Sequence, residues 1–156
     1  MDGRRAARTT AAIAIACCAW GVPRAGAAAE LRLLVPTPLR AALTDVAGDF
    51  RREHRVGIEL VFGTAPSLPA RVAKGERADL VVAAAADVDA LARLGVLDAD
   101  TVVPLGATGT GDARIEYAAG VLRRSTEPGP ARAFVQFAVQ PAARDRLRAH
   151  GVVPAP

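Results

Sequence analysis

Aromatic side chains are scarce in this 156-residue chain: one Trp, one Tyr and four Phe, 4 % in all. That leaves no aromatic platform on which nucleic-acid bases could stack. The two cysteines, Cys17 and Cys18, are adjacent and near the start. Nothing downstream can form a disulfide or a thiolate zinc site. The two histidines, His54 and His150, are far apart in sequence and outside any H-E-x-x-H pattern, so zinc chemistry has no ligand set. Two serines are present, Ser67 and Ser125, and neither stands in G-x-S-x-G. A nucleophile elbow is therefore absent. Asp87, Asp89, Asp98 and Asp100 do not follow the spacing of a calcium loop. The sequence gives no reason to expect an enzyme, a cofactor or a metal.

Long apolar runs are also missing. The longest candidate, Ala11 to Trp20, is too short to span a bilayer. It follows the basic residues Arg4, Arg5 and Arg8 and precedes small residues around Ala25-Gly26-Ala27 and Ala27-Ala28-Ala29. Basic start, apolar centre and A-x-A end are the parts of a secretory signal peptide, here residues 1–29. Export to the periplasm or outside the cell is the expectation. Anchoring as a lipoprotein through Ile15-Ala16-Cys17 ranks below it, because Ala14 stands where a larger aliphatic residue is usual. Residues 1–29 carry four Arg and one Asp, a net of +3, against +4 for the whole chain, which leaves about +1 for residues 30–156. Such a near-neutral remainder has no electrostatic footprint for nucleic acid.

What is present is an alternation of strand and helix. Leu31–Val35 is a short apolar run. Thr37 and Pro38 open a helix in which Leu39, Ala42, Leu43, Val46, Ala47 and Phe50 form one face. Val56–Phe62 is a second strand, Leu68–Lys74 a short helix closed by Gly75, and Asp79–Ala84 a third strand. A helix capped by Asp87 follows. Later, Leu97–Leu105 holds a short strand, Gly106–Asp112 a Gly-rich loop and Ile115–Leu122 a further strand. Pro130 and Pro141 open two last helices. This order predicts an α/β domain with a mostly parallel sheet and helices on both faces, since parallel neighbours need crossover connections.

Ligands on such sheets sit at the carboxyl ends of the strands. The candidate loops are Pro36-Thr37-Pro38 and Gly63-Thr64-Ala65-Pro66-Ser67. Each precedes a helix, where free N–H groups and the positive end of the dipole can meet an anion. Thr37, Thr64, Ala65 and Ser67 are the candidate ligand-binding residues. Capping a helix is the common use of Thr and Ser in such places, and from the local pattern alone it is the stronger reading. The cluster Gly106-Ala-Thr-Gly-Thr-Gly matches neither dinucleotide nor P-loop spacing.

The stretch LRLLVPTPLRAALTDVAGDFRREHRVGIELVFGTAPSLPARVAKGERADLVVAAAADVDALARLGVLD, with IEYAAGVLRRSTEPGPARAFVQFAVQPAARDRLRAHGVVPAP behind it, resembles the periplasmic molybdate-binding proteins. These are the solute receptors of an ABC importer, with a type 2 periplasmic-binding-protein fold. The resemblance implies a three-layer α/β lobe, a small oxyanion ligand (molybdate or tungstate) and a membrane permease as partner. It also implies a second lobe inserted between two parts of the first, and here only a short joint stands in that place. The implied organisation is 30–105, a joint at 106–114, then 115–156. The family places a serine before a leucine in the first loop, where this chain has Pro38 after Thr37. Its adjacent small hydroxyl residues in the second loop are replaced by Thr64-Ala65-Pro66-Ser67. The alternative is a non-catalytic interaction module or remnant that has lost its ligand.

Overall fold

The computed structural model describes residues 29–156. All but the last residue of the expected signal peptide, with Cys17 and Cys18, lies outside the described residues. Six strands form one sheet in the order β2-β1-β3-β5-β4-β6. They are β1 (Glu30–Pro36), β2 (Gly57–Gly63), β3 (Leu80–Ala84), β4 (Val103–Thr108), β5 (Ile115–Val121) and β6 (Val153–Pro154). Five helices accompany them: α1 (Arg40–His54), α2 (Ser67–Ala73), α3 (Ala85–Arg93), α4 (Pro128–Ala138) and α5 (Pro141–Ala149). No helix among the described residues is long and apolar enough to cross a membrane.

Three layers follow from the alternation of side chains along each strand. Leu31, Leu33, Val35, Leu80, Val82, Tyr117, Ala119 and Val121 face one side, against α1, α4 and α5. Leu34, Val81, Ala83, Ala118 and Leu122 face the other, against α2 and α3 through Leu68, Val72, Val88 and Leu91. Both faces are covered, so β1 and β3 read as nearly unbroken apolar runs. On the first face Phe50 of α1 meets Phe134 and Phe137 of α4 edge-on, with ring centroids 5.2 and 5.4 Å apart. Contacts of this kind add about 0.5–1.5 kcal/mol each beyond the area they bury.

The α/β lobe is as expected, but the sheet is more evenly mixed. β1 pairs in parallel with β2 and β3. β5 enters antiparallel beside β3, and β4 and β6 continue antiparallel beyond it. The cause is the short connection between β4 and β5, which lets them pair as a hairpin without a crossover. β4 also runs through Gly106 to Thr108, into the stretch expected to be a loop. Gly106 has φ +150°, and a side chain there would put Cβ 2.4 Å from the Val153 carbonyl oxygen. It is glycine because β6 lies against it. α3 starts at Ala85, directly from β3, so Asp87 sits in its first turn and does not cap it.

Asp79, just before β3, is 2 % exposed. Its carboxylate accepts hydrogen bonds from the Arg32 N–H at 3.0 Å, the Ser125 hydroxyl at 2.8 Å and the Thr126 N–H at 3.0 Å. Burial alone would raise its pKa, but the donors outweigh burial and hold it below the ordinary value. A lowered folded-state pKa contributes stability above the unfolded value of about 3.9, and that contribution is lost as pH falls through the folded value. Asp79→Ala strands three donors, each costing about 1–3 kcal/mol when buried and unpaired. We expect urea unfolding at pH 7 to show a loss of about 3 kcal/mol or more. The variant should also lose less further stability than wild type between pH 5 and pH 2.

Candidate functional site

The carboxyl ends of β1 and β2 lie side by side, with Pro36 registered opposite Gly63. This brings the two candidate loops together, as the strand order requires. Thr37 follows β1 and starts a short 3-10 turn, Thr37–Leu39, that leads into α1. Its hydroxyl caps neither that turn nor α1. It reaches across and donates to the Gly63 carbonyl at 3.0 Å. Sequence reading takes Thr37 as a cap because it weighs only neighbours, whereas its partner stands 26 residues away.

The second loop turns on itself. Ser67, first residue of α2, donates both its N–H (3.0 Å) and its hydroxyl (2.8 Å) to the Thr64 carbonyl. Thr64 is exposed and Ala65 half-buried. Ala65 donates its N–H to no other backbone group in this loop. Thr37, Thr64, Ala65 and Ser67 thus gather at one edge of the sheet around Gly63. The two hydroxyls are turned inward, onto the Gly63 and Thr64 carbonyls.

Two arginines flank this edge, and the sequence reading did not select them. Arg40, first residue of α1, holds its guanidinium carbon 4.2 Å from the centre of the Phe62 ring. Such stacking suits the planar guanidinium. Arg71 of α2 pairs through two bonds with Glu76, at 2.6 and 2.5 Å. The hydrogen bond between them holds Arg71 further toward its charged form and lowers the Glu76 pKa. A basic residue four positions after Ser67, one helical turn on, was the available signal.

The edge is open. A cavity of about 440 Å³ lies elsewhere, where Asp98, Thr101 and Val103 face Arg132 and Val135 of α4. A smaller one of about 190 Å³ sits between the β4–β5 hairpin and the last residues, Val153–Pro156. Neither is lined by the candidate residues. Among the described residues no group of three or more His, Cys, Asp or Glu is arranged to hold a metal.

The family profile of bacterial extracellular solute-binding proteins matches residues 31–111, just over half of the chain, including β1, β2, β3 and both loops. The chain belongs to this family. The family is one of binding proteins found outside the cytoplasm, which agrees with the lack of catalytic groups in the sequence. Solved structures carry the same fold. A periplasmic molybdate-binding protein from Azotobacter vinelandii superposes with a TM-score of 0.74 at 11 % identity, covering 81 % of this chain and 100 % of that one. The sulfate-binding protein SubI from Mycobacterium tuberculosis H37Rv gives 0.68 at 14 % identity, over 81 % and 87 %. Iron-bound HitA from Pseudomonas aeruginosa gives 0.68 at 10 % identity, over 78 % and 84 %. At such identities these likenesses show the fold alone. Among curated proteins, none matches this solute-binding protein by sequence.

Gly63 lies at the centre of the candidate residues. A methyl group on it would stand 2.7 Å from Leu68 Cδ2, 2.9 Å from Arg71 Nη1 and 3.3 Å from Ser67 Oγ. Leu68 is fully buried and the Arg71 guanidinium is held by Glu76, so neither gives way freely. Gly63→Ala should therefore cost about 1–3 kcal/mol of stability in chemical denaturation. The same change should displace Arg71 and Leu68 visibly in a crystal structure of the variant.

Proposed function

We propose that this protein is the solute receptor of an ABC importer for a small tetrahedral oxyanion of the molybdate or tungstate type. The supporting observation is the convergence of Thr37, Thr64, Ala65 and Ser67 on Gly63, at the carboxyl ends of two parallel strands. An anion seated there would take hydrogen bonds from the Thr37 and Ser67 hydroxyls and from the Thr64 and Ala65 N–H groups. Each hydroxyl would turn from the carbonyl it now serves, exchanging one hydrogen bond for another. The net gain per donor is modest, about 0.5–1.5 kcal/mol, or 1.5–3 where the acceptor is charged.

Binding is weak on this reading. The connection between β4 and β5, residues 109–114, stands where the resemblance places a second lobe. A single lobe leaves the ligand wet on one side, and enclosure in a low-dielectric site is what makes such donors strong. A membrane permease is the partner, and residues 1–29 direct export to the periplasm.

A second reading is favoured by one observation. Both hydroxyls already have internal acceptors, as expected of an interaction module that has kept the scaffold and lost the ligand.

Thermal unfolding of residues 30–156 with millimolar molybdate, tungstate, sulfate or phosphate, at matched ionic strength, separates the two. A ligand at a hundred times its Kd stabilises the folded state by about 2.7 kcal/mol, several degrees in Tm for a domain of this size. The receptor reading expects a selective rise with molybdate and tungstate. A cooperative transition with no selective rise would leave the interaction module as the better account.

A further inference from the structure

Arg71 is placed to do more than pair with Glu76. Its Nε and Nη2 serve the two Glu76 oxygens, at 2.6 and 2.5 Å, which fixes the plane of the guanidinium. Nη1 remains, and it is the atom that lies over Gly63, 2.9 Å from where a methyl group there would stand. Ser67 Oγ converges on the same point at 3.3 Å. The Arg71 side chain is 32 % exposed and that of Glu76 26 % exposed, so the pair is partly withdrawn from water. The pair carries no net charge, but it is oriented. Its positive end faces the Gly63–Ser67 loop, and its carboxylate lies beyond the far end of α2. A fixed guanidinium arm would act locally on an anion in that loop without attracting anions to the protein at long range.

We propose that Arg71 is a specificity-determining residue: its Nη1 donates to the anion bound at the Gly63–Ser67 loop and selects a dianion over a monoanion of the same shape. The inference rests on the oxyanion-receptor reading and adds to it a charged donor among otherwise neutral ones. The ligand class becomes a tetrahedral oxyanion carrying two negative charges.

Molybdate and perrhenate are suitable probes, being tetrahedral ions of similar size with two charges and one. Isothermal titration of the full chain with each gives a ratio of affinities. In wild type we expect molybdate to bind about tenfold tighter or more, the size of one charge-assisted hydrogen bond. Arg71→Gln combined with Glu76→Gln leaves the net charge of the protein unchanged, and it should bring the ratio close to one. Glu76→Gln alone keeps the guanidinium, removes its counter-charge and should raise the ratio. It also serves if the double variant does not unfold cooperatively. A ratio unchanged in these variants, with wild type binding molybdate, would overturn the role of Arg71 and leave the receptor reading standing. Wild type binding neither ion would overturn both.

Discussion

A single buried carboxylate ties the parallel half of the sheet to the antiparallel half. Asp79 stands where β3 begins, next to β1 in the parallel half and beside the end of β5 in the antiparallel half. Its side chain takes the Arg32 N–H from β1 and the Ser125 and Thr126 donors from the turn after β5. Its own backbone joins β1 and the end of β5 as well, donating to the Arg32 carbonyl and accepting from Leu122 N–H, both at 2.9 Å. The turn at Ser125 and Thr126 reverses the chain ahead of α4 and would otherwise carry unpaired polar groups at the edge of the core. A carboxylate accepts several bonds at once, whereas an amide would bring donors of its own to a site already full of them. That fixes the residue type more firmly than burial could, since burial by itself opposes a charge there.

The other end of the strands has a different character. At the amino end of β3 the polar groups satisfy one another within the core. At the carboxyl ends of β1 and β2 the loops also close on themselves, but with hydroxyls that are partly or fully exposed and can rotate. The Thr37–Gly63 bond spans two loops, so releasing it frees a donor and loosens their alignment together. On the receptor reading, the site is held in shape by the bonds that a ligand must replace. Its affinity is a difference between similar terms, and enclosure or fixed charge decides the sign.

How much of this was legible in the sequence depends on the range of the interactions. Leu33 and Leu34, or Val81 and Val82, announced strands buried on both faces, because alternation and apolarity are local. The helices opened by Pro128 and Pro141 were legible for the same reason, though the first begins two residues before the expected Pro130. Thr37 was not, since its partner lies on another strand. Gly106 looked like flexibility, while the constraint on it is the approach of Val153, a segment no local pattern connects to it. The mixed sheet escaped for a related reason: β4 and β5 pair because their connection is short, and a Gly-rich stretch reads as a loop whether or not a strand runs into it. The four candidate site residues did come together, as the parallel pairing of β1 with β2 demands. The arginine nearest to them gave only a weak signal, because its ion-pair partner lies beyond the end of its own helix.

The Arg71–Glu76 pair is a costly way merely to decorate a short helix. Exposed ion pairs contribute little to stability, and partial burial adds a desolvation cost that the attraction only roughly offsets. An apolar residue at the same position of α2 could pack on Leu68 without either cost. What the pair provides is direction, since two of the three guanidinium nitrogens are fixed and the third is aimed at a glycine. Glycine at 63 is not demanded by backbone strain, as its φ lies outside the left-handed region. It is demanded by the space that Arg71, Leu68 and Ser67 take up around it. An arrangement in which a charged group is held rigid against a gap in the side-chain layer, at the carboxyl ends of parallel strands where α/β sheets commonly carry ligands, fits the proposed meeting with an anion better than any need of the core.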